Sequence, residues 1–108
     1  MTACDKERRV CPISYTMETI CGKWKILILH LLHVDGVKRY GELKKDIGVI
    51  THKMLSQQLK ELETDGLVHR EEYHQIPPRV EYSLSEKGKT IIPVLCMMSE
   101  WGEKYGTL

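Results

Sequence analysis

The chain has 108 residues, enough for one domain with a small core and too few for two. Its formal net charge of +1 does not by itself indicate a nucleic-acid partner. No apolar run reaches the length of a membrane span, and the charged N-terminus MTACDKERRV lacks the apolar stretch of a signal peptide. We therefore expect a cytoplasmic protein that has no membrane partner.

The N-terminal third predicts a tail and two helices. Residues 1–10 are expected to be a flexible tail, and the domain is expected to occupy 11–108. A helix is predicted from Pro12, which suits the first helical turn, up to Gly22, which ends or bends it. Helical spacing places four residues on one face of it, with Cys21 expected to point inward: Ile13, Met17, Ile20 and Cys21. The stretch KWKILILHLLH at 23–33 is apolar on nearly every side and predicts a core helix buried all round.

Residues 40–65 predict two helices joined by a tight turn, after a short strand at 37–39. The first helix, YGELKKDIG, turns Tyr40, Leu43 and Ile47 to one side and ends at Gly48. Thr51 is the expected N-cap of the second helix. Three leucines form the inner stripe of that helix: Leu55, Leu59 and Leu62. Polar side chains face outward from it: His52, Lys53, Ser56, Gln57 and Lys60.

After the second helix the apolar period changes from that of a helix to that of a strand. LVHREEY at 67–73 and RVEYSL at 79–84 predict a β-hairpin, with the stiff loop HQIPP between them. Ser85 is expected to cap a last helix over 85–105, which Pro93 either kinks or restarts. Its apolar stripe is Ile91, Leu95, Met98 and Tyr105, joined by Val94 and Trp101. The element order predicts a mainly helical α+β fold, a winged helix-turn-helix with a wing at 67–84.

Positive charge is concentrated in the helix-turn-helix. Six lysines and arginines lie between Val37 and Lys60 against two acids, a local balance of +4 that leaves −3 for the rest of the chain. This pattern is typical of a DNA-binding surface, although lysine-rich helices also occur simply for solubility. In a winged helix the second helix of the pair enters the major groove, whose width admits one α-helix.

Particular side chains follow from that placement. Ser56, Gln57 and His52 are candidates for base edges, and Lys53 and Lys60 for phosphates. The other predicted DNA-binding residues are Arg39, Thr51 and Arg79. An ordinary solvated surface is the alternative for the polar helix residues. A cross-strand pair with Glu71 or Glu72 is the alternative for Arg79, which otherwise reaches phosphate or the minor groove.

Several segments together resemble the HxlR-type winged helix-turn-helix regulators of bacteria and archaea. They are CP at 11–12, GKWKILIL at 22–29, KRYGELKKDIGVITHKMLSQQLKELETDGLV at 38–68, PPRVEYSLSEKG at 77–88 and EWGEKY at 100–105. The resemblance implies a DNA-binding regulator that acts as a homodimer through its first and last helices. In many members the thiol matching Cys11 senses oxidants or electrophiles. Cys21 is a departure, because the family more often has glycine there.

Cys11 also has a physical case as a reactive thiol. The helix start at Pro12 and the charges of Arg8 and Arg9 favour the thiolate, so we expect a pKa below the roughly 8.5 of a free cysteine. An ordinary thiol in a dimer contact is the alternative. Ten residues of helix span about 15 Å, and a disulfide needs Cα atoms within about 7 Å, so Cys11 and Cys21 of one chain cannot pair. Its partner is then Cys4, a thiol of the other subunit or a small thiol. Cys96 is expected in core or interface packing.

No other chemistry has a pattern to support it. There is no C-x-x-C pair, His30 and His33 alone are too few for a metal site, and no catalytic motif is present. We therefore expect neither an enzyme nor a cofactor-binding or metal-binding protein. The expected function is a homodimeric repressor that binds a near-palindromic, double-stranded DNA operator. Alternatives are a winged-helix regulator that responds to a small molecule and a winged-helix module that binds protein.

Overall fold

A computed structural model describes residues 12–106. Five helices and three strands follow in chain order within this range: α1 (Ile13–Ile20), α2 (Lys23–Asp35), β1 (Lys38–Arg39), α3 (Tyr40–Ile47), α4 (His52–Thr64), β2 (Val68–Tyr73), β3 (Arg79–Leu84) and α5 (Glu86–Tyr105). The mainly helical α+β winged helix-turn-helix that the sequence predicts is confirmed. The tail at 1–10 and Cys11 lie outside the described residues, so the expectations for them stay predictions.

The strands form one antiparallel sheet in the order β1-β3-β2. The hairpin of β2 and β3 is the wing, and its register pairs Val68 with Leu84 and Tyr73 with Arg79. On the other edge of β3, Lys38 of β1 pairs with Tyr82. Because α3 begins directly after β1, this pairing fixes the start of the helix-turn-helix to the wing.

The hydrophobic core lies where α2 and α4 face each other and the sheet. Leucine and isoleucine side chains fill it, among them Ile28, Leu29, Leu32, Leu43, Leu55, Leu59 and Leu62, with Tyr82 of β3 beside them. The inner stripe predicted for α4 is confirmed. The prediction that α2 is buried all round is wrong, because His30, His33 and Val34 are exposed. These residues lie on a face of α2 that borders an open groove beside α5.

The break between α1 and α2 lies at Gly22. Its φ of +98° is in the region that favours glycine, so the sequence expectation that Gly22 ends the first helix is confirmed. The inward placement of Cys21 is wrong, because that thiol is exposed. Since α1 ends at Ile20, Cys21 has left helical geometry and the spacing of the helix no longer decides which way it points.

The start of α5 packs tightly against the beginning of the wing. The Ser85 hydroxyl oxygen accepts a hydrogen bond from the Gly88 backbone N–H at 2.9 Å, which confirms Ser85 as the cap. A Cβ on Gly88 would collide with the backbone carbonyl of Leu67, so only glycine allows this approach. Pro93 lies inside one continuous helix, and no second helix starts there.

Candidate DNA-binding surface

The turn between α3 and α4 is built by two local features. Gly48, with a φ of +80°, ends α3, and its backbone N–H donates to the carbonyl of Lys44 at 2.9 Å. Thr51 is the N-cap of α4, because its hydroxyl oxygen accepts a hydrogen bond from the Met54 backbone N–H at 3.1 Å. The cap role predicted for Thr51 is confirmed, and it sets where α4 starts.

The face of α4 opposite its leucines is open to solvent. The five polar side chains that were predicted to face outward are all exposed: His52, Lys53, Ser56, Gln57 and Lys60. No acidic residue interrupts the helix between His52 and Lys60. Arg39 is also exposed and stands at the start of α3, where its backbone N–H donates to the Glu42 carboxylate at 2.8 Å.

Lys38 does not contribute to this charged surface. Its ammonium is nearly buried and bonds to Asp46 and, at 2.9 Å, to Asp35. The hydrogen bond that Lys38 donates to Asp46, followed by the one that it donates to Asp35, raises the pKa of Lys38. Lys38, one of the six cations in the local charge balance, is therefore already paired within the protein. Since Asp46 leaves the count with it, the local excess of four positive charges between Val37 and Lys60 is unchanged.

The hydroxyl of Tyr40 connects α3 to the exposed face of α4. It lies 3.1 Å from the Nδ1 atom of His52, 3.1 Å from the His52 carbonyl oxygen and 3.2 Å from the Ser56 hydroxyl oxygen. The Tyr40 and His52 rings are also stacked, with centroids 5.9 Å apart. Sequence reasoning placed Tyr40 on the packing face of α3 and missed this contact. The sequence did contain a sign of this contact. A tyrosine on a packing face carries a hydroxyl that needs a polar partner, whereas a purely apolar residue would not.

Arg79 lies in the wing, where it contacts one residue of each strand of the hairpin. Its Nε atom is 3.4 Å from the Glu81 carboxylate, and its guanidinium lies 4.4 Å from the centre of the Tyr73 ring. The negative charge of Glu81 raises the pKa of the Tyr73 hydroxyl. The alternative that pairs Arg79 with Glu71 or Glu72 is wrong. Those carboxylates pair along β2 with His69 at 2.8 Å and Arg70 at 3.3 Å.

Arg70 is a second residue that the sequence did not single out. It lines a shallow concavity of about 300 Å³ between α4 and the wing, together with Tyr40, Ser56 and Lys60. A hydrogen bond with the Tyr82 hydroxyl is the main cause that raises the pKa of Arg70. The concavity therefore places a cation of the wing beside the exposed polar face of α4.

Residues 12–106 contain neither a metal-binding cluster nor a membrane-spanning helix. No group of three or more histidine, cysteine, aspartate or glutamate side chains in that range is arranged to hold a metal ion. No helix within the same range is long and apolar enough to cross a membrane.

Known proteins show which family has this combination of fold and surface. Residues 19–108 match the model of the HxlR-like helix-turn-helix. The chain belongs to the HxlR-like helix-turn-helix family. Over 93 residues it is 56% identical to the uncharacterized HTH-type transcriptional regulator BH0655 of Halalkalibacterium halodurans, covering 86% of this chain and 82% of that protein.

Two solved structures of the redox regulator HypR are also similar. The oxidized form has a TM-score of 0.82 and 48% identity, covering 91% of this chain and 100% of that one. The reduced form has a TM-score of 0.81 and 49% identity, covering 86% and 91%. With its HxlR-like family and these relatives, this chain is a DNA-binding transcriptional regulator. A winged-helix module that binds only protein, the alternative left open by the sequence, is not what the family describes.

Proposed function

We propose that this regulator is a cytoplasmic homodimeric repressor that binds a near-palindromic operator through the α4 helix of each subunit. The exposed face of α4 carries the proposal, since His52 to Lys60 presents polar and cationic groups without an intervening acid. A helix of this kind fits the major groove. Repression follows if the operator overlaps a promoter, because the bound dimer would then exclude polymerase sterically.

The side chains divide by chemistry into phosphate and base contacts. Lys53 and Lys60 suit phosphates, whereas His52, Ser56 and Gln57 suit base edges. Arg39 and Thr51, at the starts of the two helices, flank that face. Arg79 reaches DNA in this proposal only by leaving Glu81.

The DNA contact is tested by alanine substitutions and salt titration. Lys53→Ala or Lys60→Ala should weaken binding to all sequences alike and reduce the slope of log affinity against log salt by about 1. Gln57→Ala should relax operator preference, with a loss of about 1–3 kcal/mol if it makes a bidentate base contact. Lys89→Ala, an exposed lysine on α5, is the matched control and should keep the parent slope. An unchanged slope in both lysine variants of α4 would contradict the proposal.

Dimerisation is supported by exposed apolar side chains on α1 and α5. Met97 is 70% exposed and Trp101 is 67% exposed, and the Trp101 and Tyr105 rings lie 5.1 Å apart. Other apolar side chains of α1 and α5 are also exposed: Ile13, Tyr15, Met17, Val94 and Met98. Monomeric proteins rarely leave a surface of this kind in water. A second copy that packs its own α1 and α5 here would cover it.

Light scattering at micromolar concentration tests the dimer. The parent should show about twice the chain mass of 12.5 kDa. Trp101→Glu should shift the protein toward the monomer, because it places a charge in the apolar contact. Ile76→Glu, which changes a fully exposed wing-tip residue, should leave the mass unchanged. A stable parent monomer would contradict both the dimer and the two-site operator.

Redox sensing through Cys11 is the regulatory part of the proposal. It is supported by the residues around Cys11 and by the relative that is named a redox regulator. Half-sites must lie about one DNA turn, roughly 34 Å, apart, so a modified thiol at the dimer contact changes the fit by moving the two reading helices.

Diamide treatment tests this directly. DNA binding by the parent should change, whereas binding by Cys11→Ser should not. Cys21→Ser and Cys96→Ser, which remove thiols exposed in the structure, should respond like the parent. A Cys11→Ser protein that still responds would assign sensing to another thiol.

A groove between α2 and α5 favours a second candidate, a regulator that responds to an apolar small molecule. The groove has a volume of about 810 Å³, and Ile26, Leu27, Ile92 and Leu95 line it, with His30 and Glu100 also in the lining. Titration with the apolar dye ANS separates the two candidates. A groove that the partner subunit covers does not bind the dye, whereas an open ligand groove does.

A further inference from the structure

The Tyr40 hydroxyl has three polar neighbours, and their chemistry determines where its hydrogen points. A phenol has one hydrogen to donate and lone pairs with which to accept. The His52 carbonyl oxygen, 3.1 Å away, can only accept. The hydrogen of Tyr40 therefore belongs to the bond with this carbonyl whenever all three contacts are hydrogen bonds.

In the two remaining contacts, the Tyr40 oxygen must then be the acceptor. The Nδ1 atom of His52, at 3.1 Å, has to carry a hydrogen and donate it. The Ser56 hydroxyl, at 3.2 Å, has to donate its only hydrogen. The reverse arrangement, with Tyr40 donating to Nδ1 or to Ser56, leaves the carbonyl contact without a hydrogen. One arrangement of hydrogens thus satisfies the whole cluster.

This arrangement determines what His52 and Ser56 offer to a ligand. In a neutral imidazole only one nitrogen carries hydrogen, so a hydrogen on Nδ1 leaves the Nε2 of His52 as a bare acceptor. Ser56 has used its hydrogen on Tyr40, and only its lone pairs remain. Both residues are exposed on the face of α4 proposed to enter the groove. They therefore present acceptors on adjacent turns of the helix.

We propose that Tyr40 is a specificity-determining residue that makes this edge of α4 select amino groups in the major groove. Those groups are N6 of adenine and N4 of cytosine, the donors on the base edges there. Guanine O6 and N7 and thymine O4 are acceptors. They cannot form hydrogen bonds with the His52 and Ser56 lone pairs, which are also acceptors. Phosphate oxygens are acceptors too, so His52 and Ser56 contact bases and not the backbone. The inference rests on the proposed role of α4.

The hydrogen on His52 can be located without DNA. In the ¹⁵N-labelled protein, the His52 nitrogen shifts should show the Nδ1–H form of the neutral ring. Tyr40→Phe keeps the aromatic ring but removes the hydroxyl, and should shift the ring toward a mixture of the two neutral forms. Tyr105→Phe, which removes a hydroxyl on α5, should leave the His52 shifts unchanged. A parent His52 in the Nε2–H form would overturn the inference.

The base preference is measured by selecting bound sequences from a randomised operator library. His52→Ala and Ser56→Ala identify the base positions that these side chains read, and the parent should prefer adenine or cytosine there. Replacing that base by purine or 2-pyrimidinone, which lack the exocyclic amino group, should cost the parent about 5-fold or more in affinity. Tyr40→Phe should reduce this loss to less than about 2-fold.

Guanine or thymine at those positions would overturn the inference, and so would a preference unchanged in His52→Ala and Ser56→Ala. Neither result contradicts the proposed function as long as Lys53→Ala still weakens binding and flattens the salt dependence. Unchanged affinity and an unchanged salt slope in Lys53→Ala and Lys60→Ala would instead refute α4 as the DNA-binding helix. The two failures are therefore distinguishable.

Discussion

The ammonium of Lys87 in α5 lies 2.9 Å from the hydroxyl oxygen of Tyr15 in α1, 72 positions away in the sequence. The same ammonium donates to the carbonyl of Asp65, also at 2.9 Å, and Asp65 is the C-cap of α4. One side chain therefore joins the first helix to the end of the helix proposed to read DNA. Lys87 thus provides a polar contact between α1 and the C-terminal end of α4.

The pKa of Tyr15 reports this contact. The hydrogen bond from Lys87, followed by its charge, lowers the pKa of Tyr15 below the ordinary 10.0. In Lys87→Met the Tyr15 pKa should rise back toward that value, measured by NMR on ring-labelled tyrosine and assigned with Tyr15→Phe. Because the folded value is the lower one, Tyr15 ionisation adds stability only as pH rises above it and adds none at neutral pH. A Tyr15 titration identical in parent and Lys87→Met would contradict the contact.

The N-cap hydrogen bond of Thr51 should contribute to the stability of the fold. Thr51→Ala should lower the free energy of unfolding by about 0.5–2 kcal/mol, because the Met54 N–H loses its acceptor. Thr51→Ser keeps the hydroxyl and should retain most of that stability. Urea denaturation measures both. Equal stability of the alanine variant and the parent would show that the cap contributes nothing.

The pair of Lys25 and Glu61 should respond unequally to removal of its two partners. The Lys25 side chain is only 7% exposed while Glu61 is 44% exposed, and their charged atoms lie 3.4 Å apart. Glu61→Gln leaves a buried ammonium without its anion and should cost about 1–2 kcal/mol, less than for a fully buried pair because water screens the carboxylate.

Lys25→Met removes the buried charge and should cost less than Glu61→Gln, since an apolar side chain can fill the space left by the lysine stem. The double variant should resemble Lys25→Met. Urea midpoints of the three variants provide the comparison. A Lys25→Met protein less stable than Glu61→Gln would mean that the ion pair itself, and not burial of the charge, dominates.

Two glycines near helix starts should behave in opposite ways when changed to alanine. Gly88→Ala places a methyl group against the Leu67 carbonyl and should cost about 1–3 kcal/mol as the start of α5 shifts. Gly41→Ala in α3 meets no atom within 4 Å and should be neutral or stabilising by up to about 1 kcal/mol. Thermal unfolding of both variants tests the difference. A Gly88→Ala protein as stable as the parent would contradict the close approach of α5 and the wing.

The sequence by itself determined those features that depend on neighbours along the chain. Helical spacing placed Leu55, Leu59 and Leu62 inward, as the structure has them. Thr51 and Ser85 were identifiable as caps because a cap bonds to an N–H three residues later. The exposed face of α4 follows from the same spacing.

Only the tertiary structure decided features that join distant segments. The positive charge of Lys38 is paired with Asp46 because two separate elements, β1 and the end of α3, lie side by side in the fold. The open face of α2 depends on how α5 lies across it, and the hydrogen-bond polarity of His52 depends on Tyr40 from the preceding helix. Periodicity records which way a side chain points from its own element. Periodicity does not show which side chain of another element a residue will contact. That contact determines whether the residue's charge is paired, how exposed it is and which hydrogen bonds it makes.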